Sequence, residues 1–309
     1  ALIMGPKVSI IIVTFNAEKQ IHSAVKSVID QSYDNKELII VDGASSDNTL
    51  EIIKNYADKA PYLKWISEPD KGVYDAMNKG INIASGEWLY FLGADDFILN
   101  SDVINSIFNY NLQDGFDLLY GNVIMSPKNK IYDGPFDRSK ILLKNICHQA
   151  AFYKKSIHNT IGLYDINYKS LSDWHFNIKC FFNDKIEIKY IPQLIANFTT
   201  GGISKQNIDL DFFRRFLFPF SLQQLNSATL QKLNNIRFYD SWWRLLRNLR
   251  LHSETNLLSK LAGNEIIPKV IQNMFNLQQK VPFKALGNGF ISKILMFLSY
   301  CRHLINRIF

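Results

Sequence analysis

A mostly parallel α/β sheet covered by helices on both faces is the fold class this sequence predicts. Three observations carry the prediction. β-Branched apolar runs alternate with segments of helical period from Lys7 to Leu92, and right-handed crossovers turn that alternation into parallel strands. The runs are apolar throughout, as strands buried on both faces require. Polar clusters follow the runs directly, at the carboxyl ends where open sheets of this kind bind ligands.

Lys7 to Phe15 (KVSIIIVTF) reads as the first buried strand. Ile21, Ala24, Val25, Val28 and Ile29 then share one face at helical spacing. Glu37 to Asp42 is the second strand. Ser46 or Asp47 is placed to cap a helix reaching about Asp58, with Leu50, Ile53 and Tyr56 or Ala57 inward. Tyr62 to Ile66 gives a third short strand, Val73 to Ala84 a third helix and Trp88 to Leu92 the fourth strand. After Asp114 the strands shorten (Leu118 to Met125, Ala150 to Tyr153, Ile186 to Ile191), with helices between them. From about Gly201 onward the sequence is helical, aromatic and basic.

At 309 residues the chain can bury a core as one large domain or two unequal ones. The expected division is a body at 7–204 and a helical extension at 205–309, with residues 1–6 set aside as a cloning remnant. A composition 47% hydrophobic and 20% charged excludes disorder. Cys147, Cys180 and Cys301 lack metal-ligand or redox spacing and read as reduced cytosolic thiols. No secretory signal and no apolar run of membrane-spanning length is visible. The expected location is therefore the cytoplasm, either free or peripheral on the inner face of the membrane. Charge is uneven: residues 1–200 carry 20 Lys and Arg against 23 Asp and Glu, and residues 201–309 carry 15 against 5. An acidic-to-neutral body with a basic tail points to two roles.

The most informative motif is Gly93-Ala94-Asp95-Asp96, directly after the run Trp88 to Leu92. Adjacent carboxylates at a strand tip repel and resist desolvation unless a cation or a proton relieves them. A hard divalent metal does so and leaves positions open for phosphate oxygens. Asp42 ends the second strand, where it either accepts from a nucleobase N–H or ribose hydroxyl or terminates a turn. A dinucleotide site needs G-x-G-x-x-G after the first strand, but Thr14-Phe15-Asn16-Ala17-Glu18 stands there. No G-x-x-x-x-G-K-[ST] occurs, which removes P-loop nucleotidases. Pro69 to Gly80 (PDKGVYDAMNKG) enters a helix whose start, with Lys71 and Gly72, suits phosphate. Asp75, Asn78 and Lys79 share one face of it, as they also would on a simple solvated helix.

The ordered set resembles the GT-A-type glycosyltransferases of family 2. It comprises Val8-Ser9-Ile10 through Asn16, Val41-Asp42-Gly43-Ala44-Ser45-Ser46-Asp47-Asn48-Thr49, Gly72 with Asn78 and Gly80, and Ser85-Gly86-Glu87-Trp88 leading into Asp95-Asp96. The "DKGVYDAMNKGI" and "FLGADD" forms are most similar to the bacterial branch that builds exopolysaccharide, capsule and O-antigen chains, over roughly residues 7–204. The resemblance implies a GT-A domain and a metal-dependent, inverting hexosyl or N-acetylhexosaminyl transfer. The implied donor is a nucleotide diphosphate sugar, commonly UDP-linked, and the acceptor a hydroxyl on a glycan, lipid-linked or protein-linked. Mn2+ or Mg2+ is the implied cofactor. Thr14, Phe15, Asn16 and Asp42, with Gly43, match nucleoside-binding positions, and Lys71, Gly72, Asp75 and Asn78 the donor-facing helix. Asp95 and Asp96 match the metal and ribose motif. Many relatives carry Asp where Gly93 stands, which leaves open which aspartate is the direct ligand.

Attack by a hydroxyl on an anomeric carbon needs a base. Asp173 in Ser170-Leu171-Ser172-Asp173-Trp174-His175-Phe176 resembles the family's acidic motif and matches its base, with Ser172 where a second acid is common. The alternative for Asp173 is a helix N-cap over Trp174 to Phe182. His148, in Cys147-His148-Gln149-Ala150, is either a donor-phosphate or acceptor contact or a structural histidine. Gly201-Gly202-Ile203-Ser204 resembles a mobile loop closing over the diphosphate. No histidine lies between Phe198 and Leu210, so the diphosphate is expected to complete the metal shell.

In the tail, Arg214-Arg215-Phe216-Leu217-Phe218, Trp242-Trp243-Arg244-Leu245-Leu246-Arg247 and Phe290 to Phe309 interleave rings with cations. That pattern suits a membrane surface, a homo-oligomer contact or a packed appendage. Nucleic acid is not an expected partner, since no recognition motif accompanies the charge. Two rival functions stand beside the transferase. A non-catalytic sugar-nucleotide-binding homologue is opposed by Asp42, Asp95, Asp96 and Asp173. A nucleotidyltransferase is opposed by the missing glycine-rich loop after the first strand.

Overall fold

β-Branched side chains pack well on a pleated surface covered on both sides, and the N-terminal runs form strands accordingly. The computed structural model describes residues 5–108, 112–142, 144–199, 209, 211–217 and 220. In it β1 (Val8–Thr14), β2 (Lys36–Asp42), β3 (Leu63–Ser67) and β4 (Trp88–Gly93) are parallel, in the order β3-β2-β1-β4. Ile10, Ile11 and Ile12 of β1 are all fully buried, so both faces of the sheet are covered. Each such side chain contributes roughly 1.5–3 kcal/mol by leaving water.

The crossovers are α1 (Ile21–Ile29), α2 (Thr49–Ala57) and α3 (Val73–Ile83). Helix α1 buries Ile21, Ala24, Val25 and Val28, while Ile29 is partly exposed. Helix α2 starts after Asn48. Asp47 sits just outside that start, its carboxylate accepting the Thr49 N–H at 3.0 Å. Ile53 is fully buried and Leu50 partly so. Helix α3 lies close on β1: a Cβ at Gly80 would come within 2.5 Å of Ile11 Cγ2.

Strand register determines where the polar clusters go. Thr14 pairs with Asp42, Asp42 with Ser67, and Val13 with Gly93. The carboxyl ends of four strands therefore form one row.

The second half is β5 (Phe97–Ile98), α4 (Val103–Phe108), β6 (Leu118–Ser126), β7 (Lys130–Tyr132), α5 (Arg138–Ile141), β8 (Ala151–Lys154), α6 (Ile157–Ile161), α7 (Ser172–Phe181) and β9 (Ile188–Thr199). One 3-10 turn, His148–Ala150, precedes β8. The sheet continues β4-β8-β6-β9-β5, with β7 on β6. Only β6–β9 is parallel in this half; the other pairings are antiparallel. The sheet is thus mixed, parallel where the crossover helices are regular and mainly antiparallel beyond. β9 outruns the expected Ile186 to Ile191. Pro192 and Gln193 interrupt the apolar pattern, but a register shift between Tyr120 and Asn122 absorbs them. The strand then resumes and carries Thr199 to the carboxyl edge.

The chain divides into two units, residues 1–212 and 213–309. In the second, the Phe216 and Phe220 rings stack with centroids 5.3 Å apart. Gly201 to Ser204 and nearly all of the basic tail lie outside the described residues. Among the described residues no helix is long and apolar enough to cross a membrane.

Candidate active site

A cavity of about 660 Å³ opens along the row of strand ends. β1 contributes Thr14 and is followed by Phe15 and Asn16; Gly72 and Tyr74 come from the start of α3, and Asp95 and Asp96 follow β4. From the second half come His148 and Gln149 on the 3-10 turn and Thr199 at the end of β9. Of the residues expected from sequence, Thr14, Phe15, Asn16, Gly72, Asp95, Asp96 and His148 line it. Asp42, Gly43, Lys71, Asp75, Asn78 and Asp173 stand behind or beside the lining.

The β1 end is shaped by its neighbour. Asn16 adopts a left-handed backbone, φ 49°, which asparagine tolerates better than most residues. Its N–H donates to Ser45 Oγ at 2.8 Å and its Oδ1 accepts the Ser46 N–H at 2.9 Å. Phe15 is left 64% exposed, an open aromatic face at the cavity mouth. Asp42 is fully buried. Its carboxylate accepts from the Ser45 N–H at 3.0 Å, the Ser45 hydroxyl and the Ser67 hydroxyl at 2.7 Å. Asp42 thereby holds the loop that holds Asn16. At Gly43 a Cβ would meet Asp70 Oδ2 at 2.5 Å and the Phe15 ring at 3.3 Å. Asp70, which the motif reading passed over, lines the cavity.

Helix α3 begins at a glycine because its N-cap, Gly72, has φ 119°, a region closed to side-chain-bearing residues. The Gly72 N–H donates to Asp70 Oδ1 at 2.8 Å, and the Lys71 N–H to Asp75 Oδ2 at 3.0 Å. Asp75 is therefore engaged in the helix start. Asn78 exchanges two hydrogen bonds with the Tyr164 backbone, at 2.9 and 3.0 Å. Its amide is committed to packing. Lys71 is exposed.

The two aspartates differ sharply. Asp96 is 2% exposed, and accepts from Gln149 Nε2 at 2.6 Å and the Thr199 N–H at 2.7 Å. Burial, with the Asp95 charge adding to it, pushes its pKa up to about 6. Asp95 is exposed, and no hydrogen bond to its carboxylate occurs among the described residues. Its carbonyl accepts from Thr199 Oγ1 at 2.8 Å, which fixes its backbone. Gly93 is what permits this pairing. A Cβ there would lie 2.6 Å from Asp96 Oδ2 and 3.0 Å from Asp95 Oδ1, so Asp96 folds back into the space a side chain would fill. Among the described residues no group of three or more His, Cys, Asp or Glu could hold a metal. Asp95 is the exposed carboxylate of the pair, so a hard cation bound there would draw most of its shell from a ligand.

Asp173 lies in the first turn of α7, which starts at Ser172 after the N-cap Leu171. The N-cap residue makes no side-chain cap bond, and it is the loop ahead of the helix that is tied by a carboxylate. Asp209 accepts from the backbone N–H groups of Lys169, Ser170 and Leu171 at 3.0, 2.5 and 2.9 Å. Asp173 is 8% exposed; its Oδ1 accepts from Tyr74 OH at 2.7 Å and its Oδ2 from Asn145 Nδ2 at 2.7 Å. Burial and the adjacent Asp173 charge raise the Tyr74 pKa well above its ordinary value, keeping it a donor. His148 Nδ1 lies 3.5 Å from Asp173 Oδ2. Tyr74, Asn145, Gln149, Thr199 and Asp209 are thus site-building residues that motif matching missed. Only Tyr74 and Gln149 lie inside stretches the motifs had marked.

A mixed sheet with a carboxylate-bearing edge, entered by an open aromatic loop and a glycine-started helix, is the GT-A fold. A family model described as "Glycosyl transferase family 2" matches residues 9–169, and the chain belongs to that family. It is 39% identical over 215 residues to a "PGL/p-HBAD biosynthesis glycosyltransferase" of Mycobacterium tuberculosis, covering 68% of this chain and 84% of that protein. An "Uncharacterized glycosyltransferase" of Haemophilus influenzae is 38% identical over 118 residues, 38% of this chain and 47% of that one. Among solved structures, S. aureus TarS 1-349 in complex with UDP-GlcNAc superposes with TM-score 0.62 at 21% identity, covering 89% of this chain and 82% of that chain. The mannosyltransferase PcManGT from Pyrobaculum calidifontis, in complex with GDP-Man and Mn2+, gives 0.56 at 16%, covering 84% and 79%. At those identities the structures speak to fold alone. The protein is a glycosyltransferase, and so an enzyme.

Proposed function

We propose that the protein transfers a sugar, with inversion, from a nucleotide diphosphate donor to a hydroxyl of a glycan, lipid-linked or protein-linked acceptor. The observation that carries this reading is one cavity lined by Asp95, Asp96 and His148, with the Asp173 carboxylate 3.5 Å from His148 Nδ1. Thr14, Phe15, Asn16, Asp42 and Gly43 form the nucleoside side, Phe15 offering a ring face to the base. Gly72 and Asp75 set the start of α3, which with Lys71 beside it favours phosphate, and Asn78 ties the helix to the Tyr164 backbone. A UDP-linked hexose or N-acetylhexosamine is the favoured donor, in keeping with the UDP-GlcNAc bound to the TarS neighbour.

Asp95 would hold Mn2+ or Mg2+, in keeping with the Mn2+ in the PcManGT complex. Such an ion supplies positive charge to the departing diphosphate. Asp96 acts behind it, bonded to Gln149 and to the Thr199 N–H, and holds the loop that carries Asp95. Asp173, in the first turn of α7, is the base that takes the proton from the acceptor hydroxyl. Contact of residues 205–309 with a membrane surface or a second copy, and a cytoplasmic or peripheral location, remain readings of sequence charge and aromatic pattern alone.

The test is a panel of sugar nucleotides, scored for nucleotide release with and without Mn2+ or Mg2+. Metal-dependent release from a UDP-sugar is expected. If no donor binds or is hydrolysed with metal present, the transferase reading of this site fails.

A further inference from the structure

We infer that Tyr74 is the positioning residue of the base: its hydroxyl ties Asp173 to the start of the donor-facing helix. This rests on the glycosyl-transfer reading above, with Asp173 as base, and adds the residue that places it. Tyr74 stands two positions after the Gly72 N-cap of α3. It lines the cavity with 7% of its surface exposed. Its hydroxyl donates to Asp173 Oδ1 at 2.7 Å, joining residues 99 apart in the chain. Burial and the Asp173 charge keep the phenol protonated, so it serves as the donor of that bond.

The two oxygens of Asp173 are anchored to different parts of the molecule. Oδ2 accepts from Asn145 Nδ2 at 2.7 Å. Asn145 Oδ1 accepts in turn from Asn177 Nδ2 at 2.8 Å, and Asn177 Oδ1 from Tyr153 OH at 3.0 Å. Tyr153 is a fully buried residue of β8, so this chain belongs to the scaffold. Oδ1 is tied instead to α3, the helix whose start favours phosphate. A turn further along that helix, Asn78 exchanges hydrogen bonds with the Tyr164 backbone, and the Tyr74 and Tyr164 rings meet with centroids 5.7 Å apart. Those contacts hold the loop ahead of α7. The Tyr74 hydroxyl reaches the first turn of α7 itself.

The consequence is geometric. The anomeric carbon hangs from the diphosphate, and the base must stand a fixed distance from that carbon. Asp173 is 8% exposed, so a small displacement decides whether its carboxylate meets an acceptor hydroxyl. A misplacement of about 1 Å can cost roughly 10²-fold in rate. A direct bond from the phosphate-facing helix to the carboxylate makes the two move together. Phenylalanine at position 74 would keep the ring and its packing but leave Oδ1 without this donor.

The test uses the full chain and the UDP-sugar that the donor panel identifies. Tyr74→Phe is expected to lower kcat for UDP release about tenfold to 10²-fold. Its UDP affinity by calorimetry should stay within about twofold of wild type, since an interaction that matters only in the transition state leaves binding alone. In an Asp173→Asn background the same change should cost less than about twofold further, because residues that act through one another are not additive. A kcat near wild type overturns the assignment, as does a loss confined to UDP affinity or a full multiplicative loss in the Asp173→Asn background. A second arm needs no turnover: amide exchange in α7 is followed as UDP and Mn2+ are added. UDP should slow exchange in the first turn of α7 in wild type and leave it unchanged in Tyr74→Phe. Slowing that persists in the variant, or none in UDP-bound wild type, overturns the coupling. If Tyr74→Phe does not fold, Asp173→Ala breaks the same bond from its other end and the exchange arm decides. If wild type binds UDP but releases it from no donor, the transfer reading fails and the exchange arm still judges the link. If UDP does not bind, both fall together.

Discussion

The two ends of the parallel half-sheet treat a buried carboxylate in opposite ways. At the amino end, Glu37 of β2 is 1% exposed and gathers donors. Ser9 Oγ bonds it at 2.6 Å, the Ser85 N–H at 2.6 Å and Lys64 Nζ at 2.9 Å. Burial alone would raise its pKa, but those donors outweigh burial and hold it down at about 2. At the carboxyl end, Asp96 is equally buried, has two donors and a carboxylate neighbour, and rises to about 6. The chain has donors enough to quiet a buried acid and does so where only folding is at stake. Where a ligand arrives, charge is left unrelieved.

The largest expected effect breaks the quiet end. Glu37→Ala strands the Ser9 hydroxyl and the Ser85 N–H and removes the partner of Lys64, costing roughly 3–5 kcal/mol of unfolding free energy. Urea titration measures it. Because Glu37 lies at the far end of the strands, kcat for UDP release in the surviving folded protein should match wild type. A loss of kcat without a loss of stability would erase the contrast.

The second effect is its mirror image. Asp95→Ala should lower metal-dependent UDP release by about 10²–10³, or roughly 3–4 kcal/mol in the barrier, the scale for losing a group aimed at developing charge. Its unfolding free energy should stay level or rise slightly, since a like charge beside Asp96 is gone. A variant that kept wild-type release would remove Asp95 from the donor site.

The third concerns pH. The folded pKa of Asp96, about 6, lies above the unfolded value of roughly 3.9. Its contribution is therefore full below about 3.9 and lost as pH rises through about 6. The loss is on the order of 2–3 kcal/mol at 1.36 kcal/mol per unit. Buried His158 and His175 tilt the other way. Burial lowers each to about 4, so their contribution is lost as pH falls from about 6.5 toward 4. The difference in unfolding free energy between wild type and Asp96→Asn isolates Asp96. It should change by that amount between pH 4 and 7; a difference flat across the range would mean that Asp96 is not strained.

These contrasts also mark what the sequence could and could not reveal. The first four strands and three helices were legible because their periods are local, and the row of polar strand ends followed from parallel register. The Asp95–Asp96 pair stood out because it follows an apolar run without a break. Which member is buried was not legible. Asp96 is covered by Gln149 and Thr199, which are 53 and 103 residues away in the chain, and no local pattern encodes that meeting. Thr199 arrives on a strand whose Pro192 argues against a strand. Asp173 was visible by resemblance, yet its environment comes from Tyr74, 99 residues off, and Asn145, 28 residues off. Gly93 was noticed as a departure from relatives. Its physical role, making room for the Asp96 carboxylate, needed the fold.

The smallest predicted effect tests whether the second half of the site is held with the same economy. Helix α7 begins at Ser172, and the backbone N–H groups of the partly buried loop that leads into it need acceptors. Asp209 supplies one carboxylate to three of them and to the Ser170 hydroxyl at 3.0 Å, and its charge also complements the helix dipole. Leaving buried donors unsatisfied costs about 1–3 kcal/mol, so Asp209→Ala should destabilise by roughly that amount, with Asp209→Asn recovering part of it. The loss should be concentrated in α7, because the residues released are those just ahead of Asp173. Hydrogen exchange should quicken at the α7 amides while β1 and β4 stay protected. UDP release should fall through kcat, since Asp173 loses its fixed place in the first turn of α7, and UDP affinity should hold because Phe15, Asn16 and Gly72 are untouched. Uniform destabilisation with kcat intact would mean that Asn145 and Tyr74 alone suffice to place the acid.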